Sequence, residues 1–462
     1  MLAKFKKKYI GDWDFYQKYL LLAIPMILQN AITNLVSFLD NIMVGQLGTE
    51  QMSGVAIVNQ LIFVYNLAIF GAVSAASIFG AQYFGKGNHK GHMYSFRFKL
   101  YATLLVTGGA ILLFLTKGSA LISLYLTDTV GNGATDLALQ YGLEYLAIMM
   151  VGLIPFAVNQ SYATNIKETG QTFIPMLASF VAVGSNAILD YLMIFGIGPF
   201  PELGVQGAAL ATGIARYIEA LIVVIWAHIH RGKNRYLEGA YTGFGIPLAE
   251  LKAILIKGFP LMMNEVLWAA GMTTVTQCHS FRGLDVVAGL NIASTITNLF
   301  NIVYLQLGSC ISIVVGQYLG AGKLEDAKDA DNKMIVFSVF CCVIMAALMF
   351  VVGGFFPGIY NTTEEIRELA TSFIAVSAII MPFCAFSHAS YFTLRSGGKT
   401  VVTFLFDSVF TWVIVVPAAY LLAHFTGLGI VSIYFLVQGT ELIKVIIGYL
   451  MVKSNVWVVQ MV

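Results

Sequence analysis

The acidic residues that stand out inside apolar stretches of this 462-residue chain are Asp40, Asp190, Glu219, Glu265, Asp407 and Glu441. A carboxylate in hydrocarbon is costly, so each is first of all a candidate for handling an ion or a proton. Asn186 precedes Asp190 by four residues, which puts both side chains on one helix face. Asp40, Asp190, the Asn186 amide oxygen and the Thr212 hydroxyl together make an oxygen donor set suited to a hard cation such as Na⁺. The same set suits a proton. Two carboxylates brought together in a low dielectric repel unless something positive neutralises them, so proton and metal ion would compete for one place. The other charged groups read differently. Glu265, five residues after Pro260, is expected near the inner end of its helix, as a second-lobe contact to ion or substrate or as a packing carboxylate. Arg216 and Glu219 are three apart and are expected to pair, as are Glu441 and Lys444. Asp407 has no evident partner, and Tyr145 is a candidate substrate contact.

The elements that must position these residues follow from composition. The chain is 58% hydrophobic and only 11% charged, with a mean hydropathy of +0.79, far from the roughly 25% charged residues of soluble proteins. That describes an all-α integral membrane protein, because the ten-residue alternating segments of an outer-membrane barrel are missing. Apolar runs place twelve helices at 16–44, 51–84, 95–116, 137–165, 171–198, 204–230, 251–280, 287–319, 332–356, 366–394, 400–424 and 428–452. Lys4, Lys6, Lys7 and Lys8 precede the first run. Further basic groups follow the second, sixth, eighth, tenth and last runs: Lys86 to Lys99, Arg231 to Lys257, Lys323 to Lys333, Arg395 with Lys399, and Lys453. The positive-inside rule then makes both termini cytoplasmic and the number of spans even. At 1.5 Å per residue, Asp40, Asp190 and Thr212 all lie roughly 8–12 Å inside the outer membrane face.

The chain also repeats. A shift of 235 residues aligns Pro25 with Pro260, Gly54 with Gly289, Asn66 with Asn301, Gln82 with Gln317, and Gly85 with Gly320; after a short deletion Pro155-Phe156 matches Pro382-Phe383. Six spans per half is an even number, so both halves enter from the same side and form a parallel repeat. The expected organisation is an amino-terminal lobe over 1–230, a cytoplasmic linker over 231–250, and a carboxy-terminal lobe over 251–462. Pro25 and Pro260 interrupt equivalent helices and favour a bend, with Pro25 the candidate hinge beside the ion-bearing segment. The glycine-bearing ends 80–87 and 316–322 lack the lysine and preceding strand of a nucleotide loop and read as close helix packing. The five cysteines lack ligand spacing, and the seven histidines form no catalytic set. An enzyme and a nucleic-acid partner are both disfavoured.

Several motifs, taken in order along the repeat, resemble the multidrug and toxic compound extrusion (MATE) family, in the multidrug/oligosaccharidyl-lipid/polysaccharide flippase superfamily. They are Pro25-x3-Gln29-Asn30, Asp40-Asn-Ile-Met-Val-Gly45-x-Leu-Gly48, Gly80-Ala-Gln-Tyr-Phe-Gly-Lys-Gly87, and Asn186-x3-Asp190 followed by Gly207-Ala-Ala-x-Ala-Thr212. The resemblance implies two pseudo-symmetric six-helix lobes in a V. It also implies H⁺- or Na⁺-coupled antiport of amphipathic, often cationic drugs by a multi-pass plasma-membrane protein acting as a monomer, with no cofactor. In the DinF-like branch, the residues matching Asp40, Asn186, Asp190 and Thr212 bind the coupling ion. The NorM-like pattern of acids in helices seven and ten fits less well. The alternative is a flippase or exporter of a lipid-linked or other endogenous metabolite, for which few intramembrane cations are available to hold pyrophosphate.

Overall fold

The computed structural model of the protein describes residues 8–126 and 132–462. Lys4, Lys6 and Lys7, which open the basic amino terminus, lie outside the described residues. Twelve helices among the described residues are long and apolar enough to cross a membrane. In chain order they are α1 (Trp13–Gly45), α2 (Thr49–Lys86), α3 (His89–Ser123), α4 (Asn132–Glu168), α5 (Phe173–Ile194), α6 (Gly204–Ile229), α7 (Leu248–Ser280), α8 (Leu284–Gly320), α9 (Leu324–Gly353), α10 (Glu364–Ser396), α11 (Thr400–Phe425) and α12 (Ile430–Lys453). Several run well past the apolar runs that announced them. α3 begins at His89 and ends at Ser123, because backbone hydrogen bonding continues into polar residues that hydropathy does not detect. At 38 residues, α2 is roughly 57 Å long by the helical rise, well beyond a hydrocarbon core of about 30 Å.

The repeat is visible in the helix boundaries. Both ends of α1 and α7 differ by 235 residues, and so do the starts of α2 and α8 and of α3 and α9. Pro25 and Pro260 lie inside α1 and α7, and Pro155 and Pro382 inside α4 and α10. α11 departs from the ordinary helix: Leu405–Val409 and Thr411–Val415 are π-helical, and α-helical geometry resumes at Val416. Pro417 supplies part of the reason. Its ring crowds the carbonyl four residues back and removes one donor, which the preceding turn accommodates by widening.

The chain separates into two compact units. The amino-terminal unit holds Ile24–Gly80 and His89–Lys252, and its core packs Val58, Ile62, Ile69, Met149 and Leu153. The carboxy-terminal unit holds Ala253–Val462 together with Ala81–Asn88 and the described residues up to Ala23, around Phe300, Phe373, Ile374 and Met381. Segment 231–250 is folded rather than extended. Arg97 on α3 donates to the carbonyls of Ala240 (2.9 Å), Gly245 (2.7 Å) and Gly239 (2.6 Å). Tyr236 and Leu237 are buried, and the Tyr162 and Tyr241 hydroxyls bond one another. Burial raises the Tyr236 and Tyr241 phenols above their ordinary range, so both remain neutral hydroxyls there.

Within the carboxy-terminal unit the repeated glycines meet reciprocally. A Cβ on Gly85 would overlap the backbone of Gln317, and a Cβ on Gly320 would overlap the backbone of Gln82. Only glycine lets the carboxy-terminal ends of α2 and α8 approach this closely. The Gln82 side chain then donates to the Ser396 carbonyl at 2.9 Å and accepts from the Met461 amide at 2.8 Å. The close-packing reading of these segments is thus met at both repeats.

Candidate ion and substrate site

Asp40 lies five residues before the end of α1, and Asp190 four residues before the end of α5. Both belong to the amino-terminal unit, and their carboxyl groups come within hydrogen-bonding reach of each other. Asn186, one turn before Asp190, lies beside the same carboxyl. Asp190 is 1% exposed and Asn186 6%. Among the described residues the pair is poorly served by protein donors: Asp40 Oδ1, both Asp190 oxygens and Asn186 Nδ2 are buried without a hydrogen-bond partner. Buried polar atoms are nearly always satisfied, and two facing carboxylates supply only acceptors. A shared proton or a small cation would complete the arrangement. Thr212, half-buried on α6, makes no hydrogen bond to Asp40, Asn186 or Asp190 among the described residues. No three His, Cys, Asp or Glu side chains among the described residues converge as a metal centre would require.

The groups around this pair are electrostatic neighbours. Tyr145 is buried at 5% exposure in the hydrophobic core and directs its hydroxyl to Asn59 Oδ1 at 3.3 Å, within electrostatic range of Asp40, Asp190 and Arg216. Arg216 does not pair with Glu219 as its spacing suggested. Its guanidinium approaches the Gly152 carbonyl at 3.5 Å and sits 5.1 Å from the Phe156 ring centre. Glu219 instead accepts from the Ser179 hydroxyl, which accepts in turn from Gln29 at 2.7 Å. The i,i+3 rule placed the two charges on one face, but each found a nearer partner on another helix.

The carboxy-terminal unit carries a second charged cluster, and it too corrects the expected pairing. Lys444 on α12 bonds Asp407 Oδ1 on α11 at 2.6 Å, not Glu441, with side chains 8% and 16% exposed. Asn264 donates to Asp407 Oδ2 at 3.0 Å, and its own Oδ1 accepts from the Ser408 amide and hydroxyl. Glu441 Oε1 is left buried without a hydrogen bond among the described residues. Glu265 is half-buried, makes no hydrogen bond among the described residues, and has Arg395 and Asp407 as its charged neighbours.

One feature of the site was not foreseen from the sequence. Asn30, Thr33, Asn34 and Ser37 form a polar stripe on α1 that leads toward Asp40, and the last three are exposed. Each side chain bonds back to a carbonyl four residues earlier, Asn30 to Met26 and Ser37 to Thr33 among them. α8 repeats the pattern with exposed Asn291, Ser294, Thr295 and Asn298. The i, i+3, i+4, i+7 spacing was the available signal: inside an apolar span it marks a face that avoids lipid.

Twelve spans in two repeated halves, with a buried acidic pair in one of them, define a polytopic membrane transporter. The MatE family model matches residues 25–192 and 260–421, one match in each repeat and each starting at the repeated proline. The chain therefore belongs to the MatE family. Among curated relatives, it is 23% identical over 413 residues to a probable multidrug resistance protein NorM of Thermotoga maritima, covering 89% of this chain and 86% of that one. A protein of the same description from Halalkalibacterium halodurans is 24% identical over 413 residues, covering 89% and 88%. Among solved structures, a MOP superfamily transporter from Pyrococcus furiosus, described as having a binding pocket of reverse polarity, matches with a TM-score of 0.85. Its identity is 20%, and 96% of each chain is covered.

Proposed function

We propose that this protein is a multidrug efflux antiporter that couples export of amphipathic compounds to inward movement of H⁺ or Na⁺ through the Asp40–Asp190 pair. The observation that carries the reading is two carboxyl groups from α1 and α5 facing each other with buried oxygens that no protein group satisfies. Asn186 completes the first ring of donors, and Thr212 is a further oxygen on the adjoining helix. The names of the NorM relatives support the drug class, and the presence of all four site residues supports a DinF-like mode of coupling. Tyr145 and Glu265 are assigned as secondary contacts to cargo or ion.

In this mechanism the outward-open protein takes a cation between the two carboxylates, α1 changes shape, and cargo affinity falls so that cargo leaves. The inward-open protein then releases the cation and accepts new cargo. Pro25 suits the hinge role because α1 passes from one compact unit to the other between Ala23 and Ile24, next to the turn where proline removes a backbone hydrogen bond. The ion shifts the equilibrium only by its difference in affinity for the two states, and a tenfold difference is worth about 1.4 kcal/mol. The polar stripe on α1 gives ions a wet route past an otherwise apolar surface. The protein acts as a monomer in the plasma membrane with both termini in the cytoplasm.

The test is transport in liposomes. Purified protein is reconstituted with a fluorescent cationic dye, and pH and Na⁺ gradients are imposed separately on the parent, Asp40→Asn and Asp190→Asn. Both variants are expected to lose gradient-driven export, and the gradient that drives the parent identifies the coupling ion. Parental rates in both variants under both gradients would refute the assignment.

A further inference from the structure

A cavity of about 410 Å³ opens in the carboxy-terminal unit, and its lining shares no residue with the Asp407–Lys444 cluster. Its walls are two helix faces. α1 contributes Phe15, Lys18, Tyr19 and Leu22, and α8 with its C-cap contributes Val314, Gln317, Tyr318 and Ala321, each set spaced i, i+3, i+4, i+7. Phe84 and Gly85 of α2, Met334 of α9 and Lys323 before α9 complete the lining. Among the described residues no carboxylate lines it. Tyr19 is anchored by its hydroxyl to the Leu307 carbonyl at 2.9 Å, and Tyr16 and Tyr19 pack on Phe337. The aromatic wall is therefore held in place. Lys18 and Lys323 are exposed at the cavity, and neither ammonium group forms an ion pair or hydrogen bond among the described residues.

We propose that this cavity binds the headgroup of an anionic phospholipid. Three features lead to that class. Two unpaired ammonium groups over an aromatic and aliphatic floor complement an anion joined to an apolar body, and they repel the cationic cargo assigned to the transport site. The cavity lies near the start of α1 and the end of α8, at the end of the bundle where the basic loops cluster and where lipid headgroups sit. Basic pockets between membrane helices at that face are sites of headgroup recognition, each lysine contributing roughly a fivefold gain in affinity. The volume falls in the range of small-ligand sites and takes a headgroup while leaving the acyl chains outside. Gly85 and Gln317, which meet at the crossing of α2 and α8, both line the cavity. A bound headgroup therefore touches the crossing and braces it.

The experiment is native mass spectrometry of the purified full-length protein titrated with phosphatidylglycerol and, separately, phosphatidylcholine of the same acyl chains. The parent is expected to retain phosphatidylglycerol about thirtyfold more tightly. Lys18→Gln/Lys323→Gln should weaken that lipid by about thirtyfold and leave phosphatidylcholine unchanged. The charge-matched variant Lys233→Gln/Lys252→Gln, outside the cavity, should behave as the parent. Val314→Trp, which fills the cavity without changing charge, should also abolish the preference, and Ala321→Phe serves if the first filler unfolds early in a thermal scan. Equal retention of the two lipids by the parent overturns the proposal. So does an equal loss in the two double variants, which would mean a diffuse charge effect. Displacement of phosphatidylglycerol by millimolar glycerol phosphate would make this a site for soluble anions and would equally overturn it.

Discussion

Removing Lys444 should damage the protein more than removing its partner Asp407, and removing both should damage it least. The two side chains meet at 2.6 Å and are 8% and 16% exposed, so neither has bulk water to fall back on. In Lys444→Met, Asp407 keeps only the Asn264 amide at 3.0 Å and remains a stranded charge, a situation that typically costs about 3–5 kcal/mol. In Asp407→Asn, Lys444 has a second carboxylate three residues earlier on its own helix. Glu441 carries a buried oxygen without a donor and is already an electrostatic neighbour of the ammonium. Re-pairing there should hold the loss to about 1–2 kcal/mol, on the order of a charged hydrogen bond. The double variant Asp407→Asn/Lys444→Met removes both charges with little change of volume and should lie within about 1 kcal/mol of the parent, as neutral replacements of buried pairs often do. Thermal unfolding in detergent, followed by tryptophan fluorescence for the parent, both single variants and the double, gives the ordering. Additive losses, or Asp407→Asn proving the worse single change, would refute the pairing.

Other consequences are equally direct. Arg97→Gln removes a guanidinium that donates to three loop carbonyls and should lower stability by about 2–4 kcal/mol; limited proteolysis would show earlier cutting within 239–245 than in the parent. Gly320→Ala drives a Cβ into the Gln82 backbone, which cannot swing aside as a side chain can, so thermal stability should fall sharply. Gly87→Ala faces open space at φ +72° and should lose only the roughly 1–2 kcal/mol of a left-handed residue; comparable unfolding temperatures for the two variants would contradict the close crossing. Glu219→Gln leaves the Ser179 hydroxyl a neutral acceptor and, because Arg216 does not rely on it, should leave stability within about 1 kcal/mol of the parent; a thermal scan showing a loss several times larger would restore the pairing that the spacing suggested.

The amino-acid sequence alone determined the environment, the number of spans and their duplication, since each follows from counting apolar residues and from identities at a 235-residue offset. It also singled out Asp40, Asn186 and Asp190, because a carboxylate in hydrocarbon is conspicuous and a four-residue spacing defines a helix face. Tertiary structure decided which charges meet. Spacing along one helix offered Glu219 to Arg216 and Glu441 to Lys444, yet long side chains settle where desolvation is best compensated, and here that lies across helices: the Gly152 carbonyl for one, Asp407 on the π-helical turn of α11 for the other. Such a choice depends on helix rotation and separation, quantities set by packing over the whole bundle. The glycines announced a close approach, but that α2 meets α8 there and that Arg97 clamps segment 231–250 were hidden for the same reason, because both join residues more than a hundred positions apart.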